Sequence, residues 1–402
     1  MWAVNSVKIN SPSVGQVKLS DGGVLDAVRG PEGASFRLLT AIGYLDITDT
    51  GHQTGGPHYW QLVINGTIYW YDGQGAIDFT FNGNGSYTVT GDDNKFTGQL
   101  QPFPSVSPDD AKNFDWMMQE KYIPYQNIPD EPGKTTAELK ALGKQYFPFS
   151  PYSFELAMSV YDWTTADFTR IDFLNMFTYT GVSGEPQDMD SIANSIWTAN
   201  WPPYTPQSAD YMNSFMIVPA NSLQEVQSKL ADKIDSLKTN NVSEVNIIRA
   251  ALRTMPRTSV IAKPALYSGQ VAIANLGTSH FATYFSQLPN NSDSSQPPLE
   301  MDISEAVKTF MAQGDTITLK SFMSFTDSRE DAMHYSNGIL ISVIPPDGAV
   351  VWEQATYITP LSDGPDKTEY LFDVGTTFKI LDVQDTTYDG KDIFAFSLQV
   401  IA

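Results

Sequence analysis

Residues 319–332 read LKSFMSFTDSREDA, and this stretch decides how the last third of the chain is interpreted. In an extended strand alternate side chains share a face, so Ser324 and Thr326 would lie together with the ring of Phe322. The charged residues after Asp327 are typical of a helix start. Two small hydroxyls beside an aromatic ring are unusual on a plain core strand, which makes this strand a candidate site.

The composition is that of a folded and strongly acidic protein. The chain has 402 residues, of which 41% are hydrophobic, enough for two to three domains with their own cores. Its 46 acidic residues outnumber the 24 lysines and arginines, which gives a net charge of −22. Such a surface repels phosphate backbones and anionic headgroups. We therefore expect no nucleic-acid partner and no binding to anionic membranes.

The sequence disfavours cysteine chemistry, a metal site and a membrane-spanning segment. It contains no cysteine, which excludes disulfides, thiolate nucleophiles and cysteine metal ligands. The histidines at positions 52, 58, 280 and 334 lack the i, i+4 spacing of a helical metal site, so we expect no metal. We also expect no secretory signal and no membrane span, because no basic-then-apolar leader and no apolar run of roughly 20 residues is found. The compartment stays open between the cytoplasm and export by a non-classical route.

Residues 1–100 have the pattern of antiparallel β-structure. Asn65-Gly66 separates two aromatic and β-branched runs, 59–64 and 67–71, and predicts a hairpin with a type I′ turn. A second hairpin is predicted at 79–90. Short strands with frequent glycine turns favour a β-sandwich or a small barrel. The aromatic hairpin is either part of the core, which we favour, or an exposed binding face.

The middle of the chain is predicted to be mostly helical. Ser107 and Pro108 form a helix start before a helical run at 111–122. Further helical patterns are found at 136–146, 151–161, 165–177, 189–198, 223–238 and 243–254. We accordingly predict three parts, a β-sandwich-like domain at 1–100, a helical or linker region at 101–219 and a third domain at 220–402.

The third domain returns to a β pattern, so the fold class predicted for the whole chain is α+β. Strands are predicted at 265–267, 317–322, 338–344, 349–352 and 378–383. One helix, at 303–313, interrupts them, with a capping-box-like start and Gly314 as its stop.

Ordered motifs in this domain carry a family resemblance. LYSG at 266–269 is followed by FMSFT at 322–326, by Ala332 on a helix, by EYL at 369–371 and by GTTF at 375–378. This order and spacing resemble the mono-ADP-ribosyltransferases of the arginine–serine–glutamate type. The likeness extends over roughly residues 220–402. It implies a split antiparallel β-sheet module with a cleft that binds NAD as substrate.

The resemblance also implies a role for each matching residue. Breaking the nicotinamide–ribose bond of NAD passes through an oxocarbenium-like state, which a fixed carboxylate beside the ribose stabilises. Glu369 would be that carboxylate, and Ser324 and Thr326 would organise the site around it. The NAD-binding residues would be Tyr267, Ser268, Gly269 and Phe322, the last as a ring stacked on nicotinamide.

Two positions depart from the family pattern. Ser268 stands where the family has an arginine for the dinucleotide phosphates, a role for which Arg253 or Arg257 is a nearby candidate. Lys367 stands where arginine-modifying members carry Glu or Gln. The sequence therefore leaves three functions open. The first is an effector or toxin that transfers ADP-ribose to a protein acceptor read by the loop 361–368, with a host or partner protein bound by the N-terminal β domain. The second is an inactive binding or structural protein of the same fold, and the third is an NAD glycohydrolase.

Overall fold

The computed structural model describes most of the chain between Ser6 and Ile401. The residues outside the description are 1–5, 10–15, 20–23, 27, 30–33, 41, 54–59, 72–76, 92–93, 122–132, 166–167, 169, 173, 175–188, 199–214, 216, 218–219, 256, 271–312, 337 and 402. The helix predicted at 303–313 lies outside the described residues.

The chain divides into two compact units. Unit 1 comprises Met1–Ser105, Thr254–Pro264 and Asp347–Tyr357, and unit 2 comprises Val106–Arg253, Ala265–Pro346 and Ile358–Ala402. Both units are therefore assembled from segments that are distant in sequence. The three-domain division made from the sequence stays a prediction.

Unit 1 contains two antiparallel sheets, as the sequence predicted for residues 1–100. Their strands are β1 (Ser6–Ile9), β2 (Gln16–Leu19), β3 (Val24–Asp26), β4 (Val28–Arg29), β5 (Ala34–Thr40), β6 (Gly43–Gln53), β7 (Trp60–Ile64), β8 (Thr67–Tyr71), β9 (Ile77–Phe81), β10 (Ser86–Gly91) and β11 (Asn94–Gln99). One sheet has the order β11-β10-β9-β1-β2-β3 and the other β4-β5-β6-β7-β8. One hydrophobic cluster draws on both sheets, with Leu45 and Leu62 from one and Phe79 and Val89 from the other. The core of unit 1 thus lies between the two sheets.

The Asn65-Gly66 hairpin is confirmed. Asn65 has φ 44° and Gly66 has φ 79°, the left-handed conformation that both central residues of a type I′ turn require. Leu62 on β7 is buried in the core, while Trp70 on β8 keeps 38% of its surface exposed. The hairpin therefore supplies core side chains from β7 and a partly exposed face from β8.

The described helices of unit 2 follow the other predicted patterns, and the pattern at 165–177 lies partly outside the described residues. These helices are α1 (Pro108–Lys121), α2 (Thr136–Tyr146), α3 (Ser153–Trp163), α4 (Met189–Thr198), α5 (Leu223–Leu252) and α6 (Arg329–His334). The Ser107 hydroxyl accepts a hydrogen bond from the backbone amide of Asp110 and so caps α1 as predicted. The two patterns at 223–238 and 243–254 are one continuous helix, α5. Its middle contains the poor helix former Asn241, whose buried amide donates to the carbonyl of Ile171, so tertiary contact overrides local propensity there.

The second half of the chain contributes the remaining strands. They are β12 (Leu266–Gln270), β13 (Thr316–Thr318), β14 (Met323–Phe325), β15 (Ile339–Ile344), β16 (Ala355–Tyr357), β17 (Tyr370–Phe372), β18 (Thr377–Tyr388) and β19 (Lys391–Val400). Five of them form a sheet of order β12-β15-β19-β18-β13. β15 and β19 are parallel, and the other neighbours are antiparallel. The sheet is therefore mixed, where the resemblance implied antiparallel pairing throughout.

The strand predicted at 317–322 is interrupted, because the chain changes partner strands there. β13 pairs with β18 in the five-stranded sheet, whereas β14 pairs with β17. The four residues between β13 and β14 are all buried. Tyr267 on β12 and Thr326 after β14 exchange two backbone hydrogen bonds of 2.7 Å, which join the β14–β17 pair to the edge of the larger sheet. The strand predicted at 349–352 is reduced to a single bridge at Val351.

Candidate active site

Glu369 lies immediately before β17 and is held by its backbone. Its amide donates to Thr359 Oγ1 at 2.7 Å, and its carbonyl accepts the amide of Ile358 at 2.9 Å. Thr359 begins a short 3₁₀ turn, Thr359–Leu361. The main chain on both sides of the glutamate is therefore tied to a turn that precedes it by ten residues.

Each oxygen of the Glu369 carboxyl group accepts a hydrogen bond from one serine hydroxyl. Ser324 Oγ donates to Oε1 and Ser362 Oγ donates to Oε2, both at 2.7 Å. Burial raises the pKa of this carboxyl, with the charge of Asp363 acting in the same direction, while the two serine hydrogen bonds lower the pKa. The structure thus brings together Ser324 and Glu369, which the resemblance named as one site.

A residue from the helical region completes this arrangement. The indole nitrogen of Trp163, at the end of α3, donates to Ser324 Oγ at 2.8 Å. Trp163 is 4% exposed and meets the ring of Phe322 edge-to-face, with 5.3 Å between centroids. Phe322 is fully buried in this contact. Its stacking on nicotinamide stays a prediction.

Thr326 lies beside a second group of polar side chains. Its Oγ1 is 3.0 Å from that of Thr368, whose hydroxyl donates to Asp327 at 2.5 Å. The Asp327 carboxylate is also 3.4 Å from the hydroxyl of Tyr370. The side chain of Thr326 therefore contacts the residue before Glu369, and Ser324 is the member of the pair that touches the carboxyl group.

The LYSG segment at 266–269 contacts both Ser324 and the helix α6. Ser268 Oγ donates to the carbonyl of Ser324 at 2.7 Å and accepts from Gln270 Nε2 at 2.8 Å. A Cβ on Gly269 would lie 1.8 Å from the carbonyl oxygen of Ala332, so only glycine lets β12 approach the helix α6. The hydroxyl at position 268 thus positions the strand that carries Ser324, and position 269 is constrained by packing.

The basic residues named from the sequence have other partners. The Arg257 guanidinium donates to the carbonyls of Met255 and Glu353 and to Thr356 Oγ1, at 2.8 to 3.0 Å. Burial raises the pKa of Asp373, and the charge of Arg253 is one of the smaller effects that oppose this rise. Neither contact connects these arginines with Ser268.

The loop 361–368 is anchored at one end and cationic near the other. The carbonyl of Ser362 accepts the ammonium of Lys134, and Asp363 accepts the hydroxyl of Tyr161 at 2.9 Å. The Lys367 ammonium lies 4.7 Å from the ring centroid of Tyr335, a cation–π contact on a ring that is 53% exposed. The loop therefore presents a positive charge near Glu369 in sequence.

Sequence reasoning missed Trp163, Ser362 and Thr359. Trp163 is 161 residues from the serine that it contacts, and no motif marks it. Ser362 lay within the loop that the resemblance assigned to the acceptor, and a hydroxyl seven residues before the glutamate was the available signal.

The described residues contain neither a cluster of metal ligands nor a membrane-spanning helix. In that part of the chain no group of three or more His, Cys, Asp or Glu side chains is placed to hold a metal ion. Likewise, no helix within the described ranges is long and apolar enough to cross a membrane.

Comparison with known proteins gives matches among solved structures. No family model matches the sequence, and no curated protein matches it. Vis toxin, an ADP-ribosyltransferase from Vibrio splendidus, is 14% identical over 68% of this chain and 89% of that chain, with a TM-score of 0.31. The type III effector XopAI from Xanthomonas axonopodis pv. citri is 14% identical over 75% and 90%, with a TM-score of 0.37. Plx2a, an ADP-ribosyltransferase toxin from Paenibacillus larvae, is 15% identical over 66% and 96%, with a TM-score of 0.28. Because these TM-scores lie below 0.5, any function of this chain has to be inferred from its own contacts.

Proposed function

We propose that the chain is an NAD-dependent mono-ADP-ribosyltransferase that transfers ADP-ribose to a protein acceptor. The observation that carries the proposal is the carboxyl group of Glu369, which is held between the hydroxyls of Ser324 and Ser362. Glu369 and Ser324 are 45 residues apart in sequence, and both belong to the ordered motifs. A desolvated carboxyl with fixed donors is a frequent property of reactive sites.

The reaction needs a carboxylate at a defined place. Transfer breaks the bond between nicotinamide and the ribose C1 of NAD, and the bonding electrons leave with nicotinamide. The acceptor atom then forms its bond to C1 and loses a proton. Positive charge develops on the ribose meanwhile, and a carboxylate that is already oriented stabilises it without reorganisation. Glu369 fits this role because hydrogen bonds fix both its side chain and its backbone.

The remaining roles proposed from the resemblance concern binding. Thr326 would support the site through Thr368, and Tyr267, Ser268, Gly269 and Phe322 would line the place of NAD. Lys367 and the loop 361–368 would select the acceptor, and the sheets of unit 1 would bind a host or partner protein, as in an effector or toxin.

Ser268 favours a second candidate, an inactive protein that keeps the fold for binding. Ser268 is 5% exposed, and its hydroxyl donates to the carbonyl of Ser324 and accepts a hydrogen bond from the side-chain amide of Gln270. A neutral, occupied hydroxyl cannot replace a guanidinium that pairs with phosphate. Weak NAD binding is the consequence expected of this position.

The experiment compares the wild-type chain with Glu369→Gln and Glu330→Gln. Glu330 is an exposed glutamate on α6, so it controls for loss of a carboxylate elsewhere. Each protein is incubated with NAD labelled in its phosphates, with and without a cell extract. We expect labelled protein with wild type and Glu330→Gln, and a loss of at least 100-fold with Glu369→Gln, the cost typical of removing one preorganised electrostatic group.

The other outcomes select the alternatives. Free ADP-ribose without labelled protein identifies an NAD glycohydrolase. If the wild-type chain neither consumes NAD nor binds it in calorimetry, the enzyme proposal is wrong and the binding protein remains.

A further inference from the structure

The end of helix α3 makes three side-chain contacts with the segments that hold Glu369. Tyr161 Oη donates to Asp363 Oδ1 at 2.9 Å, and Thr164 Oγ1 accepts the amide of Asp363 at 2.8 Å. Between them, Trp163 Nε1 donates to Ser324 Oγ at 2.8 Å. Three nearly consecutive residues of the helical region therefore contact both the loop after the 3₁₀ turn and the strand β14.

The contact of Trp163 determines where the proton of Ser324 points. An indole nitrogen is a donor only, so the serine oxygen must be the acceptor of that bond. A serine hydroxyl has one proton, and the oxygen lies 2.7 Å from Glu369 Oε1. With one lone pair occupied by the indole, the hydroxyl is oriented to donate to the carboxylate. The two hydrogen bonds, from Trp163 to Ser324 and from Ser324 to Glu369, therefore donate in the same direction. Donation to the carboxyl group favours the charged form of Glu369.

Packing keeps the indole in this position. Its ring meets Phe322 and Phe168 edge-to-face, with centroids 5.3 and 6.2 Å away. Its neighbour Asp162 is fully buried and accepts from the buried Arg170 at 2.6 Å. The last turn of α3 is therefore held by an ion pair on one side and by aromatic rings on the other.

We propose that Trp163 is a positioning residue for the NAD-cleaving reaction. It orients the Ser324 hydroxyl toward Glu369 and so holds the carboxyl group at a fixed angle. This inference rests on the proposed function and adds to it, because the residue comes from the helical region and not from the motifs that suggested the activity. The site then needs residues 153–164 as well as the strands that follow residue 265.

The test is Trp163→Phe in the full chain, with Trp352→Phe as matched control. Phenylalanine keeps an aromatic ring but removes the N–H donor. Trp352 is also buried, and its indole donates to the carbonyl of Lys263 at 2.7 Å, so the control loses the same kind of bond elsewhere. The assay measures kcat and KM for NAD between pH 5 and 9, together with the melting temperature of each variant.

We expect Trp163→Phe to lower kcat about tenfold, the equivalent of one hydrogen bond, while KM for NAD changes less than about twofold. The acid limb of its pH–rate profile should move to higher pH, because a less strongly donating Ser324 leaves the pKa of Glu369 higher. Trp352→Phe should leave kcat and the acid limb unchanged. A shift of the acid limb is not expected from lost stability alone.

Two results would overturn the inference, and they differ from each other. If wild type is active, Glu369→Gln is inactive and Trp163→Phe retains both kcat and the acid limb, then Trp163 has no positioning role and the proposed function stands. If wild type and Glu369→Gln are equally inactive toward NAD, the proposed function fails and the role of Trp163 in it fails as well.

Discussion

Replacement of Arg170 by methionine is predicted to lower the unfolding free energy by about 3–5 kcal/mol, the usual cost of removing one partner from a buried ion pair. The guanidinium of Arg170 donates to Asp162 Oδ2 at 2.6 Å and to Glu244 Oε2 at 2.7 Å. All three side chains are 0% exposed. Methionine fills part of the space but supplies no charge, so a buried carboxylate is left uncompensated.

The protonation of Glu244 makes this prediction dependent on pH. Burial raises the pKa of Glu244 well above its usual range, and the neighbouring Asp162 adds to this effect. Glu244 therefore binds its proton more tightly than an ordinary carboxyl group does, while Arg170 pairs with Asp162. The variant also loses the charge of Arg170, which lowers the pKa of Glu244 in wild type, so this carboxyl group takes up a proton more readily in acid. The cost should be larger at pH 7.5 than at pH 5.

The assay is urea unfolding followed by the far-ultraviolet circular dichroism of the helices, at both pH values. Arg249→Met is the control, because Arg249 contacts Asp373 at 3.1 Å with side chains that are 40% and 32% exposed. Such a pair is typically worth less than about 1 kcal/mol. A triple variant with Arg170→Met, Asp162→Asn and Glu244→Gln should recover at least half of the loss, because no charge remains buried.

If Arg170→Met costs no more than Arg249→Met at pH 7.5, the uncompensated charge has no large effect on stability. If the triple variant is as unstable as the single one, the loss comes from packing around the arginine stem, and not from the uncompensated charge.

Two further substitutions test the electrostatics and the packing of unit 2. Glu244→Gln should become more stable relative to wild type as the pH rises from 4 to 8. The pKa of Glu244 is raised in the folded state, so the free energy of unfolding of wild type falls as the pH rises above the pKa of an ordinary carboxyl group. Glutamine does not titrate, so the variant does not share this fall. Parallel stability–pH curves for the two proteins would contradict this. Gly269→Ala should cost about 1–3 kcal/mol, since its Cβ would meet the Ala332 carbonyl at 1.8 Å. Gly83→Ala is the control, because a Cβ there meets no atom within 4 Å, and its free energy of unfolding should stay within about 0.5 kcal/mol of wild type. Equal losses of stability at both glycines would show that the contact between β12 and α6 is not tight.

Features that depend on neighbouring residues could be predicted from the sequence. The Asn65-Gly66 turn is one, because two adjacent positive φ angles are rare and these residues adopt them. The cap at Ser107 and the helix at 136–146 are others, since their signals lie within one helical turn. The pairing of Ser324 with Glu369 was accessible only through the ordered motifs, since nothing local connects a residue on β14 with the residue that precedes β17.

Features that depend on distant contacts could not be predicted. The parallel pairing of β15 with β19 joins residues about 55 positions apart, and side-chain alternation does not tell a parallel neighbour from an antiparallel one. The continuity of α5 depends on burial of Asn241, which a propensity scale counts against a helix. Arg170 has no sequence signal at all, because a lone arginine in a helical pattern is usually exposed.

The last turn of α3 connects the stability of unit 2 with the geometry of the candidate site. Asp162 belongs to the buried ion pair, and the next residue, Trp163, donates to Ser324. A change that breaks the ion pair is therefore expected to displace the indole as well, because both side chains project from the same helical turn. A module cut at residue 220, as the motif resemblance alone suggests, would keep Ser324 and Glu369 but lose the donor that orients them. The proposed activity is thus expected to depend on the helical region that precedes the motifs.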